Sequence, residues 1–117
     1  MSNVIGKKLE LLASAARTVT TTGNAVSLPS NAKDIGILHV ATADASAGTF
    51  AATLETSWDG GDTWVAVTGA APGAKSAVGG FYAAATINCS NLVRAVLTAA
   101  TSPVQTNEVF VVFNEGN

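Results

Sequence analysis

Apolar and polar residues alternate along several stretches of this chain, most clearly from Thr49 to Trp58. Alternation with a period of two is typical of a strand that buries one face. The more apolar face carries Phe50, Ala52, Leu54, Thr56 and Trp58. Residues 59–62 follow with two glycines, which adopt positive φ angles at little steric cost. Residues 63–68 are rich in β-branched and aromatic side chains, so we predict one β-hairpin over residues 49–68.

From residue 17 onward, the remaining chain reads as short strands between turn signals. The predicted strands span 17–22, 25–28, 35–43, 81–87, 92–99 and 109–113, and a small-residue loop spans 69–77. The segment 35–43 is apolar on both faces, which predicts an inner strand. With the hairpin, these segments give roughly eight short strands and no long helix. The pattern predicts an all-β fold, a single antiparallel β-sandwich of the jelly-roll or Ig-like type.

The first residues fit more than one local structure. Apolar positions in 4–13 fall near helical spacing, but an extended arm or a first strand fits equally well. Gly6 weakens the helix interpretation. We therefore divide the chain into an N-terminal arm, residues 1–16, that docks on a neighbouring surface, and a β-sandwich domain, residues 17–117.

Composition adds a constraint on the environment of the protein. The chain has 117 residues, enough for one domain, and only 12% of them are charged, about half the usual share. Depletion of charge is typical of interface cores and favours a subunit of a larger assembly over a small Ala-rich monomer. The net charge of −2 and the scattered basic residues argue against nucleic acid. No apolar run reaches the ~20 residues that a membrane span needs.

Residues with catalytic or metal-binding chemistry are few. His39 is the only histidine and alternates with apolar residues inside a predicted strand, without partners for a zinc site. Cys89 is the only cysteine, which predicts a small buried side chain in a protein made in a reducing cytoplasm. Asp59 and Asp62 lack the spacing of an EF-hand, and a weak ion site is the alternative there. We predict no catalytic residue, no metal site and no cofactor.

One local motif stands out in the predicted turn. It has the form Ser-x-Asp-x-Gly-x-Thr-Trp and consists of Ser57, Asp59, Gly61, Thr63 and Trp64. Serine and aspartate side chains can bind backbone N–H groups of a turn, glycine allows the reversal, and tryptophan packs over the hairpin. The motif resembles an Asp-box, which in sialidase-type propellers is a structural turn away from the active site. Several blades of about 40–45 residues do not fit into this chain, so the resemblance implies a structural hairpin.

A second resemblance covers more of the chain. The Ala/Thr/Gly-rich, charge-poor domain, its hairpin and the strand at 92–98 resemble structural proteins of tailed bacteriophages, with capsid decoration (cement) proteins as the closest type. The resemblance implies a non-enzymatic virion subunit on the capsid surface, made in the bacterial cytoplasm. Its partners would be the major capsid protein and copies of itself in a trimer, without nucleic acid or membrane. The candidate contact residues are Val4, Ile5, Lys7, Lys8, Leu9, Pro72 and Lys75.

Three alternatives remain. The first is a phage tail or head-completion structural protein. The second is a carbohydrate- or surface-binding β-sandwich module that stacks sugars on Trp58, Trp64, Phe81 and Tyr82. Against it, a core of this size needs most of its aromatics, which places Trp64 and Phe81 in the core and leaves Trp58 and Tyr82 half-buried. The third, an Asp-box hydrolase fragment, lacks a recognisable arginine cluster or tyrosine nucleophile.

Overall fold

The computed structural model describes residues 6–45 and 48–116. These residues form ten β-strands and no helix, and every strand pair is antiparallel. The strands are β1 (Gly6–Arg17), β2 (Thr21–Thr22), β3 (Val26–Ser27), β4 (Ala32–Asp44), β5 (Thr49–Thr56), β6 (Val65–Ala66), β7 (Gly73–Lys75), β8 (Gly79–Ala84), β9 (Leu92–Ala100) and β10 (Gln105–Glu115). The all-β prediction is confirmed, while the predicted count of eight strands is too low.

The first sheet contains four strands in the order β1-β10-β4-β8. Its two inner strands are therefore β10 and β4, and the prediction of an inner strand over 35–43 is confirmed. The register places Val109 opposite His39 and Phe110 opposite Leu38. Strand β4 suits an inner place because side chains on both of its faces are buried or half-buried.

The second sheet is built around β5 and β9, which pair along the whole length of β5. Residues 50, 52, 54 and 56 of β5 are buried, so the predicted alternation is confirmed along the strand. Trp58 lies beyond its end and is 66% exposed. The predicted hairpin partner is much shorter than expected, because β6 contributes only Val65 and Ala66 to the pairing. Strands β2 and β3 pair with β9. The segment 69–77, predicted as a loop, contains the short strand β7, which pairs with β5.

A single hydrophobic cluster contains residues of both sheets. From the first sheet it takes Ile37, Val109 and Val111, and from the second it takes Phe50, Leu54, Val93 and Leu97. These seven side chains are fully buried. Burying one such side chain contributes about 1.5–3 kcal/mol relative to leaving it exposed. The shared core therefore accounts for the association of the two sheets.

The segment predicted as a separate arm belongs to the first sheet in the part that the structure describes. Strand β1 pairs with β10 from Gly6 opposite Asn114 to Arg17 opposite Gln105. A shift of register follows Glu10, and both of the next two residues, a pair of leucines, are buried. Residues 6–16 are thus an edge strand rather than an arm, and residues 1–5 of the predicted arm lie outside the described residues.

Candidate functional site

The Asp-box-like turn is closed by its own side chains. It begins where β5 ends, and the Ser57 backbone N–H donates to the Leu92 carbonyl of β9 at 3.1 Å. The Ser57 hydroxyl is buried, accepts a hydrogen bond from Gly61 N at 2.8 Å and donates to Asp59 Oδ1 at 2.8 Å. Asp59 Oδ1 also accepts from Thr63 N at 2.8 Å. The motif residues therefore lie together and bind one another across the turn.

Backbone conformation and charge fit this role. Gly60 and Gly61 have φ angles of 79° and 102°, a region that strains residues with a side chain. Asp59 is exposed, and the backbone N–H of Thr63, together with the Ser57 hydroxyl, lowers the pKa of its carboxyl group. The carboxylate is consequently ionised at neutral pH and holds the turn, which leaves it poorly suited to act as a general acid.

Trp64 joins the turn to the second sheet. Its Nε1–H donates to the Gly61 carbonyl at 3.0 Å, and the Arg94 guanidinium carbon lies 4.4 Å from the ring centroid. Arg94 Nε in turn donates to Glu55 Oε1 at 2.8 Å. Glu55 and Arg94 are directly opposite each other on β5 and β9. The ring therefore packs between the turn and a cross-strand ion pair, which is a structural role.

The other tryptophan of the motif faces solvent. Trp58 is 66% exposed and, with Asp59, Thr63 and Val65, lines a shallow groove of about 220 Å³. An exposed indole beside a carboxylate and a hydroxyl can stack on a sugar ring and bind its hydroxyl groups. The burial of the aromatics differs from expectation, because Trp58 and Tyr82 are mostly exposed, whereas Trp64 and Phe81 are half-buried rather than in the core.

A network of polar side chains occupies one end of the first sheet. His39 Nε2 lies 2.9 Å from Gln105 Oε1, which also accepts from Asn107 Nδ2 at 2.8 Å. Gln105 Nε2 donates to Asp44 Oδ2 at 2.8 Å, and Arg17 Nη1 donates to Asn107 Oδ1 at 2.9 Å. The side chains of His39, Gln105 and Asn107 are buried. Each of these three side chains has at least one hydrogen-bond partner, which lowers the cost of burying it.

The network fixes the hydrogen on the imidazole. Because the Gln105 oxygen can only accept, the hydrogen of neutral His39 lies on Nε2. Nδ1 is buried and has no partner among the described residues. Burial lowers the pKa of His39, the positive charge of Lys75 lowers it further, and the bond to Gln105 opposes both effects. The ring is therefore neutral at neutral pH.

The network was not predicted from the sequence, although the sequence carries a signal for it. Gln105 and Asn107 occupy alternate positions directly before the alternate, buried Val109 and Val111. The alternation of inward positions in β10 therefore continues towards its start with polar residues in place of apolar ones. Among the residues that the structure describes, there is no group of three or more His, Cys, Asp or Glu side chains that could hold a metal ion.

The predicted contact residues of β1 already have partners within the chain. Lys7 Nζ lies 3.6 Å from Glu115 Oε1, and the side chains of both residues are substantially exposed. Lys8 Nζ lies 4.3 Å from the centroid of the Phe110 ring, on the outer face of the first sheet. Leu9 is half-buried and packs against the core. Of this group, Lys7 and Lys8 are the residues that a partner can reach.

The remaining predicted contact residues lie elsewhere. Val4 and Ile5 lie outside the described residues. Pro72 directly precedes β7, and Lys75 ends it. The Lys75 carbonyl lies 3.4 Å from Gln105 Nε2, at the start of β10, whereas the β1 lysines pair near its end. The structure therefore does not bring the two groups together on one surface.

A second groove, of about 430 Å³, lies where β4 begins and the chain leaves β8. Its lining includes Lys33, Asp34, Thr86, Asn88 and Cys89. Cys89 is half-buried, and burial raises the pKa of its thiol. The thiol therefore stays protonated at neutral pH, which makes it a poor nucleophile.

Among the described residues there is no helix long and apolar enough to cross a membrane.

Comparison of the chain with models of protein families, with curated proteins and with solved structures found no match.

Proposed function

We propose that this protein is a non-enzymatic structural subunit of a tailed-bacteriophage virion, which binds and stabilises the capsid shell as a decoration protein. In this proposal its two sheets form a β-sandwich of the jelly-roll or Ig-like type. The observation that carries it is the exposure of large apolar side chains in a chain with only 12% charged residues. They are Val19, Trp58, Val65, Val78, Tyr82, Ile87 and Val104. Exposed apolar side chains combined with a depletion of charge are typical of surfaces that contact other protein.

The Asp-box-like turn supports a structural role. Its serine hydroxyl and aspartate carboxylate are committed to backbone N–H groups of the turn itself. A catalytic pair would instead direct these groups towards a substrate. The turn therefore contributes rigidity, and the exposed surface contributes binding.

For the contact with the shell we propose the edge strand β1, with its exposed lysines Lys7 and Lys8. Side chains of an edge strand are accessible to a neighbouring subunit, and the two lysines give the contact a preferred charge. Pro72 and Lys75 are a second proposed contact. Copies of the protein also contact one another in this proposal, and the trimer is the form that the resemblance implies.

Copy number in purified particles tests the proposal. Quantitative mass spectrometry against the major shell protein should give a ratio near one or a simple fraction of it. A few copies per particle would favour a tail or head-completion protein, and complete absence would overturn the virion proposal. On isolated shells, Lys7→Glu with Lys8→Glu should weaken binding. Lys8→Glu alone should also weaken binding, and its charge-matched control Lys33→Glu, at another exposed position, should leave binding unchanged.

A carbohydrate-binding module is the second candidate, and the exposure of Trp58 beside a groove is what favours it. Glycan addition should then quench or shift tryptophan fluorescence. Trp58→Ala should abolish that response, although Trp64 still fluoresces in this variant. A decoration protein should show no response to glycans in the same assay.

A further inference from the structure

The two edges of the first sheet differ in how they resist pairing with another strand. Strand β1 carries three charged residues in its first five positions and two shifts of register. Arg17 Nη2 also occupies the Ala13 carbonyl at 2.6 Å. Charges, bulges and occupied carbonyls protect an edge. Strand β8 has none of these features, because residues 76–85 contain no charge and no proline and its register with β4 is continuous.

The backbone of β8 presents free groups at this edge. Ala85 N donates to the Ile35 carbonyl, and the register with β4 continues without a shift from there. In an antiparallel pair, alternate residues bond to the partner, so Phe81 and Ala83 bond to β4. The N–H and C=O groups of Gly80 and Tyr82 therefore point away from the sheet. Within the described residues, no bond from these groups to another segment is seen.

Exposed apolar side chains lie on both sides of the free backbone groups, Tyr82 within β8 and Val78 in the bend directly before it. Val78 is 63% exposed and Tyr82 is 55% exposed, two positions before and after Gly80. The Tyr82 ring rests on β4, since a Cβ at Gly36 would lie 2.6 Å from its Cε1. A Cβ at Gly80 would meet only Leu38 Cδ1, at 4.0 Å, and the φ angle of Gly80 is not positive. The fold of one chain therefore leaves open space at Gly80.

We propose that β8 is the site at which a second copy of this chain pairs, antiparallel, about a two-fold axis through Gly80. Residues directly opposite in an antiparallel pair share a face of the sheet, so each Tyr82 then meets the Val78 of the other copy. Aromatic and β-branched residues form favourable cross-strand pairs. The free N–H and C=O groups of the two Gly80 residues bond to each other, and the two four-stranded sheets join into one.

The chemistry of the edge favours a copy of itself as the partner. A two-fold contact brings the same segment in twice, so any net charge on it would be doubled within the interface. Residues 76–85 carry no charge. The exposed Val78 and Tyr82 of one copy lie opposite Tyr82 and Val78 of the other copy across the axis. The pairing segment is short, which implies a weak dimer with a Kd of roughly 10 µM to 1 mM. This two-fold contact departs from the trimer that the resemblance implies, and it does not depend on the virion proposal.

Sedimentation of the isolated protein tests the contact. The wild type should form dimers at concentrations up to about 1 mM. Gly80→Lys should weaken dimerisation at least about tenfold, because two ammonium groups then face each other on the axis. It should leave monomer stability unchanged, since the position is open. Ala13→Lys, an added lysine at an exposed position of the opposite edge, should leave dimerisation unchanged.

Disulfide trapping tests the register. In a Cys89→Ser background, Gly80→Cys places two thiols on the axis with Cα atoms about 5.5 Å apart, within the range of a disulfide. Under mild oxidation this variant should form covalent dimers much faster than an Ala13→Cys control. Equal rates for the two variants would overturn the proposal.

Three sedimentation results would also overturn it: a wild type that stays monomeric at about 1 mM, a trimer as the only oligomer, or a Gly80→Lys variant that dimerises as the wild type does. Failure here leaves the copy number in particles unaffected, so the two proposals are tested separately.

Discussion

Replacing Trp64 by alanine tests whether the turn contributes to the stability of the whole fold. The ring is half-buried, and burial of a whole tryptophan is worth 3–5 kcal/mol against alanine, so about half of that is lost. The bond from Nε1 to Gly61 and the contact with Arg94 lie within this loss and contribute about 1 kcal/mol each. We expect Trp64→Ala to lower the free energy of unfolding by about 1.5–2.5 kcal/mol.

Urea unfolding followed by far-UV circular dichroism measures this loss without relying on tryptophan fluorescence. For a domain of this size, the expected change lowers the melting temperature by about 10 °C. Trp64→Phe keeps an aromatic ring and removes the N–H, so it should cost about 1 kcal/mol.

Trp58→Ala is the matched control, because that ring is 66% exposed and should change stability by less than about 0.5 kcal/mol. If Trp64→Ala and Trp58→Ala have the same small effect, the packing argument is wrong.

Three further predictions concern hydrogen bonds and protonation. Ser57→Ala leaves Gly61 N without its acceptor and should cost about 1–2 kcal/mol in thermal unfolding, whereas the exposed Ser76→Ala should cost almost nothing. Burial lowers the pKa of His39 below its ordinary 6.5. As the pH falls, the imidazole therefore takes up a proton in the unfolded chain at a higher pH than in the folded protein. Stability should therefore be constant above about pH 6.5 and fall below it, and urea titrations of His39→Gln should lose this dependence. The pKa of Asp59 lies below its ordinary 3.8, so its contribution is complete above that pH and disappears as the pH falls through the lower value. Melting temperatures of wild type and Asp59→Asn should differ at neutral pH and converge in acid.

The strands with apolar alternation were predictable from sequence, and those with polar inward positions were not. Strand β5 buries every second residue, and a local pattern is enough to identify it. Strand β10 begins at Gln105, four residues before the predicted start, because its first inward residues are polar. Their burial depends on Arg17 and His39, which are distant in sequence, so no local window contains the reason for it.

The turn was predictable in detail because its bonds join residues at most four apart. The extent of the hairpin was not, because β5 pairs mainly with β9 rather than with the segment that follows the turn. The sequence near the N-terminus fitted a helix, an arm or a strand, because the partner of β1 is the distant strand β10. Contacts between distant segments decided each of these cases.

The position of β10 between β1 and β4 has a consequence for the order of events during synthesis. Arg17 of β1 bonds to Asn107 of β10, a residue ninety positions later. Until the ribosome has released β10, β1 lacks the strand beside it in the finished sheet, and β4 lacks one of its two neighbours. Contacts of such high sequence separation slow folding and prolong the exposure of unpaired strands. We therefore expect the nascent chain to be most vulnerable to proteases and aggregation just before β10 emerges.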